Sequence, residues 1–231
     1  MEAVRIFIGY DPRESVAYHV LAHSLLRQAS GPLSITPLSL TSVAHCFQRP
    51  RDARQSTDFA FSRFLVPYLC GYSGWALFMD CDMLARSDVR ELWELRDDRF
   101  AVMVVKHDYT PRDATKFGGN VQTAYPRKNW SSVMLLNTAR CRALEPSFVA
   151  TASGLDLHRF NWLQDDEVGQ LPTTWNHLVG EYPDNPHAKL VHFTLGGPYF
   201  AAYRGCEFSD LWFREWALAK TGLEPAGADA P

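Results

Sequence analysis

Leu77-Phe78-Met79-Asp80-Cys81-Asp82-Met83-Leu84 sets two carboxylates, one residue apart, inside an otherwise apolar run. Alternation along an extended chain turns Asp80 and Asp82 to one side and Cys81 to the other. Carboxylates held side by side repel each other and are costly to desolvate. A divalent cation resolves that conflict, and hard oxygen ligands suit Mg²⁺ or Mn²⁺. The plainer reading makes one Asp a turn residue and the other a helix cap. Against it, Met83 and Leu84 continue the apolar run, and Ser87 is the better cap for the helix that follows.

Working outward, residues 75–79 form the central strand that delivers these carboxylates. Residues 4–8 read as a first strand and 34–40 as a second, placed near a sheet edge by Pro37. Residues 101–105 and 133–137 are continuous apolar runs, as expected of strands buried on both faces. Residues 189–193 read as a last strand, ending on His192. Between the first two strands, Asp11, Pro12 and Glu14 form a capping-box-like start. Val16, Ala17, Val20, Leu21, Ser24 and Leu25 then share one helical face. A second helix starts at Thr57 or Asp58, is kinked by Pro67 and ends at Gly71 and Gly74. Ser87, Thr138 and Ser209 cap further helices, the one after Thr138 breaking near Pro146.

A strand–helix–strand opening marks an α/β sheet, and ligands in such sheets bind beyond the carboxyl ends of the strands. Gly9, Tyr10 and Asp11 lie at that end. Tyr10 could stack on a base while Asp11 accepts a hydrogen bond from it; alternatively, Tyr10 only packs and Asp11 only caps. Arg63 sits in apolar company and needs an anionic partner. The basic run 49–54 is either a solvated face or a contact for an anion. Residues 106–129, with Gly118-Gly119-Asn120, form a polar loop long enough to be functional. Asp165-Asp166-Glu167 is either the acidic first turn of a helix or the source of a catalytic carboxylate. Gly196-Gly197 after His192 leaves backbone open to close approach by a ligand.

With 231 residues, the chain suits one domain over residues 1–222, followed by a disordered tail at 223–231. Its net charge of −3 shows no bias toward nucleic acid or acidic membranes. The five cysteines have no close pair, which argues against a disulfide framework or a thiolate zinc site and for a reducing compartment. No signal peptide is read at the start, and no stretch reaches the apolar length of a membrane span. The expectation is a cytoplasmic protein whose membrane association, if any, is peripheral.

The ordered motifs together resemble the family 8 retaining glycosyltransferases, the glycogenin-like and bacterial lipopolysaccharide galactosyl- and glucosyltransferase group. The resemblance runs from the Ile8-Gly9-Tyr10-Asp11 turn through Arg63, Phe78-Met79-Asp80-Cys81-Asp82 and Val133-Met134-Leu135-Leu136-Asn137. It continues through Gln164-Asp165-Asp166 and Leu171-Pro172-Thr173-Thr174-Trp175-Asn176 to His192 and Tyr199. It implies the GT-A fold, a Rossmann-like mixed sheet flanked by helices. It implies that Asp80, Asp82 and His192 hold Mn²⁺ (or Mg²⁺) against the diphosphate of a UDP-sugar, with Cys81 between the two ligands. By the same resemblance, Arg63 contacts donor phosphate or sugar, and Gly9, Tyr10 and Asp11 form the uridine turn. Asp165 and Asp166 lie beside the transferred sugar, Asp166 at the position of a nucleophile or oxocarbenium stabiliser. The acceptor would be a hydroxyl of a glycan or glycolipid.

The chain departs from that pattern in three places. Where the family has His-x-x-Gly-x-x-Lys-Pro-Trp, this chain has His192-Phe193-Thr194-Leu195-Gly196-Gly197-Pro198-Tyr199, without the diphosphate lysine. Neutralisation then falls to Arg63, to another basic side chain or to the Gly196-Gly197 N–H groups. Trp130-Ser131-Ser132 replaces Asn-Ser-Gly, and Asp166 replaces Gln. Two rivals remain. A haloacid-dehalogenase-type phosphatase also uses Asp-x-Asp, but after its first strand and with no role for His192. A non-catalytic nucleotide-sugar-binding protein would have no need to keep such costly groups together.

Overall fold

The computed structural model describes residues 2–52, 55–109 and 126–221, together with the backbone of 115–116 and 120–121. The chain opens with β1 (Val4–Gly9), α1 (Ser15–Gln28) and β2 (Leu33–Leu38), then a short α2 (Leu40–Val43) and α3 (Val66–Leu69). β3 (Trp75–Met79), β4 (Met83–Ala85), α4 (Val89–Trp93) and β5 (Val102–Val104) follow. After the small hairpin of β6 (Thr115–Lys116) and β7 (Asn120–Val121) come β8 (Val133–Asn137), α5 (Pro146–Thr151) and α6 (Gly154–His158). The chain closes through β9 (Val168–Gln170), β10 (His177–Leu178), β11 (Leu190–His192) and α7 (Ser209–Thr221).

The main sheet has the order β2-β1-β3-β8-β5-β9, and a smaller one the order β10-β11-β4. In the main sheet only β8 runs against its neighbours. The ends of β1, β3, β5 and β9 and the start of β8 therefore share one edge. The apolar runs read as buried strands are so: every residue of β5 and β8 is buried. Pro37 is tolerated because β2 is the edge strand. The buried face of α1 is Ala17, Val20, Leu21, Ser24 and Leu25. α7 is fastened to α1 by Glu215, which takes Arg27 through both carboxylate oxygens and His23 Nδ1 at 2.6 Å. All five cysteines are free thiols. Among the described residues no helix is long and apolar enough to cross a membrane.

Several local expectations need correction. Glu14 makes no capping box; its carboxylate accepts from the Tyr199 hydroxyl at 2.6 Å. The helix expected from residue 57 is broken into a turn, the 3₁₀ segment Ser62–Leu65 and α3, because Pro67 has no N–H and fits only a first turn. Asp88 caps α4, not Ser87, by accepting from Arg90 N. Thr138 starts one 3₁₀ turn, not a helix; its hydroxyl and N–H both donate to the Gly74 carbonyl. Pro146 begins α5 rather than breaking a helix. Asp165–Glu167 form a single 3₁₀ turn that runs straight into β9. The tail expected at 223–231, and parts of the 49–54 and 106–129 loops, lie outside the described residues.

Gly9 has a packing role. A Cβ there would lie 2.3 Å from the ring of Phe59, which is buried against β1 and β3. Gly9→Ala is expected to destabilise the fold by about 1–3 kcal/mol. Urea unfolding would show this as a lower midpoint at an unchanged m-value.

Candidate functional site

Asp80 follows the end of β3 and Asp82 precedes β4, so the two carboxylates span the passage from the main sheet to the small one. Two backbone hydrogen bonds fix that passage: Asp80 N donates to Ser132 O, and Phe193 N donates to Asp82 O, each at 2.9 Å. The register of β11 on β4 sets His192 opposite Met83, next to Asp82. The outcome is a group in which one ligand atom each from Asp80, Asp82 and His192 lies within 4.8 Å of the others. Cys81 turns away, as alternation requires. Its side chain is buried in the hydrophobic core, and burial among Glu14, Asp82, Asp80 and Asp11 pushes its thiol pKa well up.

Asn176 is fully buried, and its Nδ2 donates to Ser132 Oγ at 2.8 Å and to Asn129 O at 3.4 Å. That leaves Asn176 Oδ1 as acceptor for His192 Nδ1, 2.9 Å away. Nδ1 then carries a proton, and Nε2 faces Asp82 Oδ1, 3.4 Å away. Nε2 and the two carboxylates together could hold a metal ion. Two carboxylates and an imidazole fit Mn²⁺ or Mg²⁺. Arg63, 5% exposed, sits behind the group. Its NH1 lies 2.7 Å from Asp80 Oδ1 and donates to Ser131 O at 2.9 Å, with the guanidinium near the Phe59 and Phe78 rings. Asp80 is thus the anionic partner expected for it.

Asp80, Asp82, His192 and Arg63 all line one pocket of about 310 Å³. Its walls include Gln55, Thr57, Phe61, Lys128, Ser131 and His158, with Ser131 Oγ 2.7 Å from His158 Nδ1. Other expected site residues are not in this pocket's lining. Asp11 is wholly buried, and its carboxylate accepts from Arg13 N, Nε and NH2 and from Asp58 N. Burial alone would raise this carboxyl, but those hydrogen bonds outweigh it and hold its pKa below the usual range. Tyr10 packs edge-on against Tyr18. The Gly196 N–H already donates to Phe193 O, and a Cβ at Gly197 would meet the Tyr199 ring at 2.1 Å. None of Gly9, Tyr10, Asp11, Cys81, Gly196 and Gly197 lines the pocket.

Asp165 and Asp166 are exposed at the start of β9, whereas the pocket opens where β3 ends and β8 begins. Neither is among the residues that line the pocket. Asp165 instead holds Arg127 at 2.5 Å, which lowers its pKa. Sequence reading assigned no role to Asn176, Lys128 or His158. Asn176 closes the Leu171-Pro172-Thr173-Thr174-Trp175-Asn176 motif, but its hydrogen bond to His192 depends on strand register, which the motif does not display.

His107, just past β5, is also buried, with Nδ1 3.0 Å from the Tyr182 hydroxyl. Burial, helped by His192 and His177 nearby, lowers its pKa from 6.5 to about 3. The unfolded chain takes up this proton below pH about 6.5 and the folded chain does not. This contribution to stability is therefore complete above pH 6.5 and lost as the pH falls toward 3. His107→Gln should flatten the plot of urea midpoint against pH across that window.

No protein-family profile matches the chain. In fold, it superposes on the bifunctional glycosyltransferase WbbM with a TM-score of 0.65 at 16% identity, covering 93% of this chain and 50% of that one, so that it spans half of WbbM. It superposes on the galactosyltransferase LgtC, crystallised with donor and acceptor sugar analogues, with a TM-score of 0.58 at 14% identity, covering 99% and 98% of the two chains. In sequence it is 48% identical over 220 residues to Protein CDI of Arabidopsis thaliana, covering 91% of this chain and 85% of that protein. The chain belongs to the family of Protein CDI, built on the GT-A fold.

Proposed function

We propose that this chain is a glycosyltransferase of the family 8 type. It moves a hexose from a UDP-sugar to a hydroxyl of a glycan or glycolipid, with retention and with Mn²⁺ or Mg²⁺ held by Asp80, Asp82 and His192. The observation that carries this reading is the inward face of His192: Asn176 fixes its tautomer, and Nε2 points at Asp82 next to Asp80. The GT-A fold supports it, because the group lies where that fold's strands end.

The bound cation would act as a Lewis acid toward the negative charge that the diphosphate gains as the glycosidic bond breaks. The protein's own part is to place the ligands before the donor arrives. Arg63 orients Asp80 from behind and offsets part of its charge. Asn176 orients His192. The polar wall of Ser131, Asn129, His158 and Thr194 offers hydrogen bonds to hydroxyl groups of a sugar. The phosphatase reading fits less well. It needs the nucleophilic Asp after the first strand, whereas Asp80 follows β3 and faces Arg63. The proposed setting is the cytoplasm, any membrane association being peripheral, at the inner face.

Calorimetric titration of UDP with Mn²⁺ present, and again with EDTA, tests the reading. Binding that requires Mn²⁺ is expected, and Asp82→Ala is expected to abolish it; metal-independent binding, or binding retained in that variant, would refute the metal role. Asn176→Ala is expected to weaken Mn²⁺ binding by about tenfold to a hundredfold. Water-proton relaxation enhancement by bound Mn²⁺ reads this directly, without turnover.

A further inference from the structure

Among the described residues lining the pocket, Arg63 and Lys128 are the arginine and lysine side chains. Arg63 is fixed against Asp80 and the Ser131 carbonyl. Lys128 lies in the turn 126–129, just ahead of the 3₁₀ segment Trp130–Ser132 and β8. Its neighbours Arg127 and Asn129 both have left-handed backbone, with φ of +64° and +62°. Non-glycine residues adopt that conformation at a cost, and it persists where the surroundings over-determine it.

The surroundings here do so from both sides. Arg127 NH1 donates to Arg159 O at 2.7 Å, and its NH2 donates to Asp165 Oδ1 at 2.5 Å. Asn129 Nδ2 donates to the Tyr109 hydroxyl at 2.6 Å and to Thr194 Oγ1 at 3.2 Å. The Asn129 carbonyl accepts from Ser132 Oγ at 2.6 Å, and Trp130 Nε1 donates to His107 O at 2.8 Å. A strained turn, pinned on each flank, thus places Lys128 in the wall of the pocket that holds Asp80, Asp82 and His192.

Charge explains what such a lysine is for. Two aspartates, Arg63 and a divalent cation sum to one positive charge, while a departing nucleoside diphosphate carries more negative charge than that. The turn after His192 has Gly196 and Gly197 and no cationic side chain, and the Gly196 N–H is taken by Phe193 O.

We propose that Lys128 contacts the donor diphosphate, and that the Arg127–Asp165 pair positions it. The proposal rests on the donor reading above. It gives Asp165 a place in the site's construction, through Arg127, without contact to the sugar. Lys128 supplies a charge-assisted hydrogen bond to a phosphate oxygen opposite the metal ligands.

The test is calorimetry on the full chain, with Mn²⁺ alone and then with UDP at saturating Mn²⁺. Lys128→Gln is expected to bind Mn²⁺ as the parent does and UDP about tenfold to a hundredfold more weakly. Its UDP affinity should also depend less on salt, and Lys128→Arg should keep most of the affinity. Asp165→Asn should weaken UDP binding in the parent but not in the Lys128→Gln background, since a positioning residue acts only through the group it positions. A folded Lys128→Gln variant that binds UDP as tightly as the parent overturns the Lys128 assignment and leaves the donor reading standing. An equal effect of Asp165→Asn in both backgrounds overturns the positioning role. Parent protein that binds Mn²⁺ but no UDP overturns the donor reading and this assignment with it.

Discussion

The hydrogen bond from His192 Nδ1 to Asn176 Oδ1 is the constraint on which the site depends. An imidazole can present either nitrogen, and the partner of one decides what the other does. Asn176 is itself held through Nδ2 by Ser132 and Asn129, residues that lead into β8. The chain of contacts therefore runs from the main sheet, through a buried amide, to a ring on the small sheet. The same junction carries the bonds from Asp80 N to Ser132 O and from Phe193 N to Asp82 O. Both carboxylates and the imidazole are located by backbone pairing, and this gives a preorganised set of donor atoms.

Arg63 shows how a buried charge is made tolerable. An isolated guanidinium in apolar surroundings is costly, and a pair with one carboxylate offsets that cost only if further hydrogen bonds are made. Here the Ser131 carbonyl and the faces of Phe59 and Phe78 complete the environment. The same Phe59 ring lies against Gly9, so packing at the first strand end and charge placement at the third are connected. In the turn after β1, Asp11 gathers Arg13 and the residue-58 backbone.

Much of the architecture was legible in the sequence, for reasons specific to its segments. Residues 101–105 and 133–137 are apolar without interruption, and only strands covered on both faces read that way. Pro37 marked the edge strand because a central strand needs its N–H. Asp80 and Asp82 could be paired from spacing alone, and His192 could be added through the order of the surrounding motifs. Helix starts were read less well. Asp88 displaces Ser87 as cap by accepting from Arg90 N, two residues on, while Thr138 is drawn to the Gly74 carbonyl, a contact distant in sequence.

The sequence by itself determined the α/β class, the strand that carries the two carboxylates and the chemistry those carboxylates call for. All of these follow from periodicity and residue type within a few positions. Only the tertiary structure decided which distant residues complete the site. The register of β11 on β4 brings His192 to Asp82, and the antiparallel run of β8 sets Ser132 and the Lys128 turn at the edge where β3 ends. Asp165 and Asp166 stand in the 3₁₀ turn before β9, where Asp165 pairs with Arg127, far from it in sequence. Strand register and direction are properties of pairs of segments, fixed by hydrogen bonds and packing across the sheet, and no single stretch of sequence contains them.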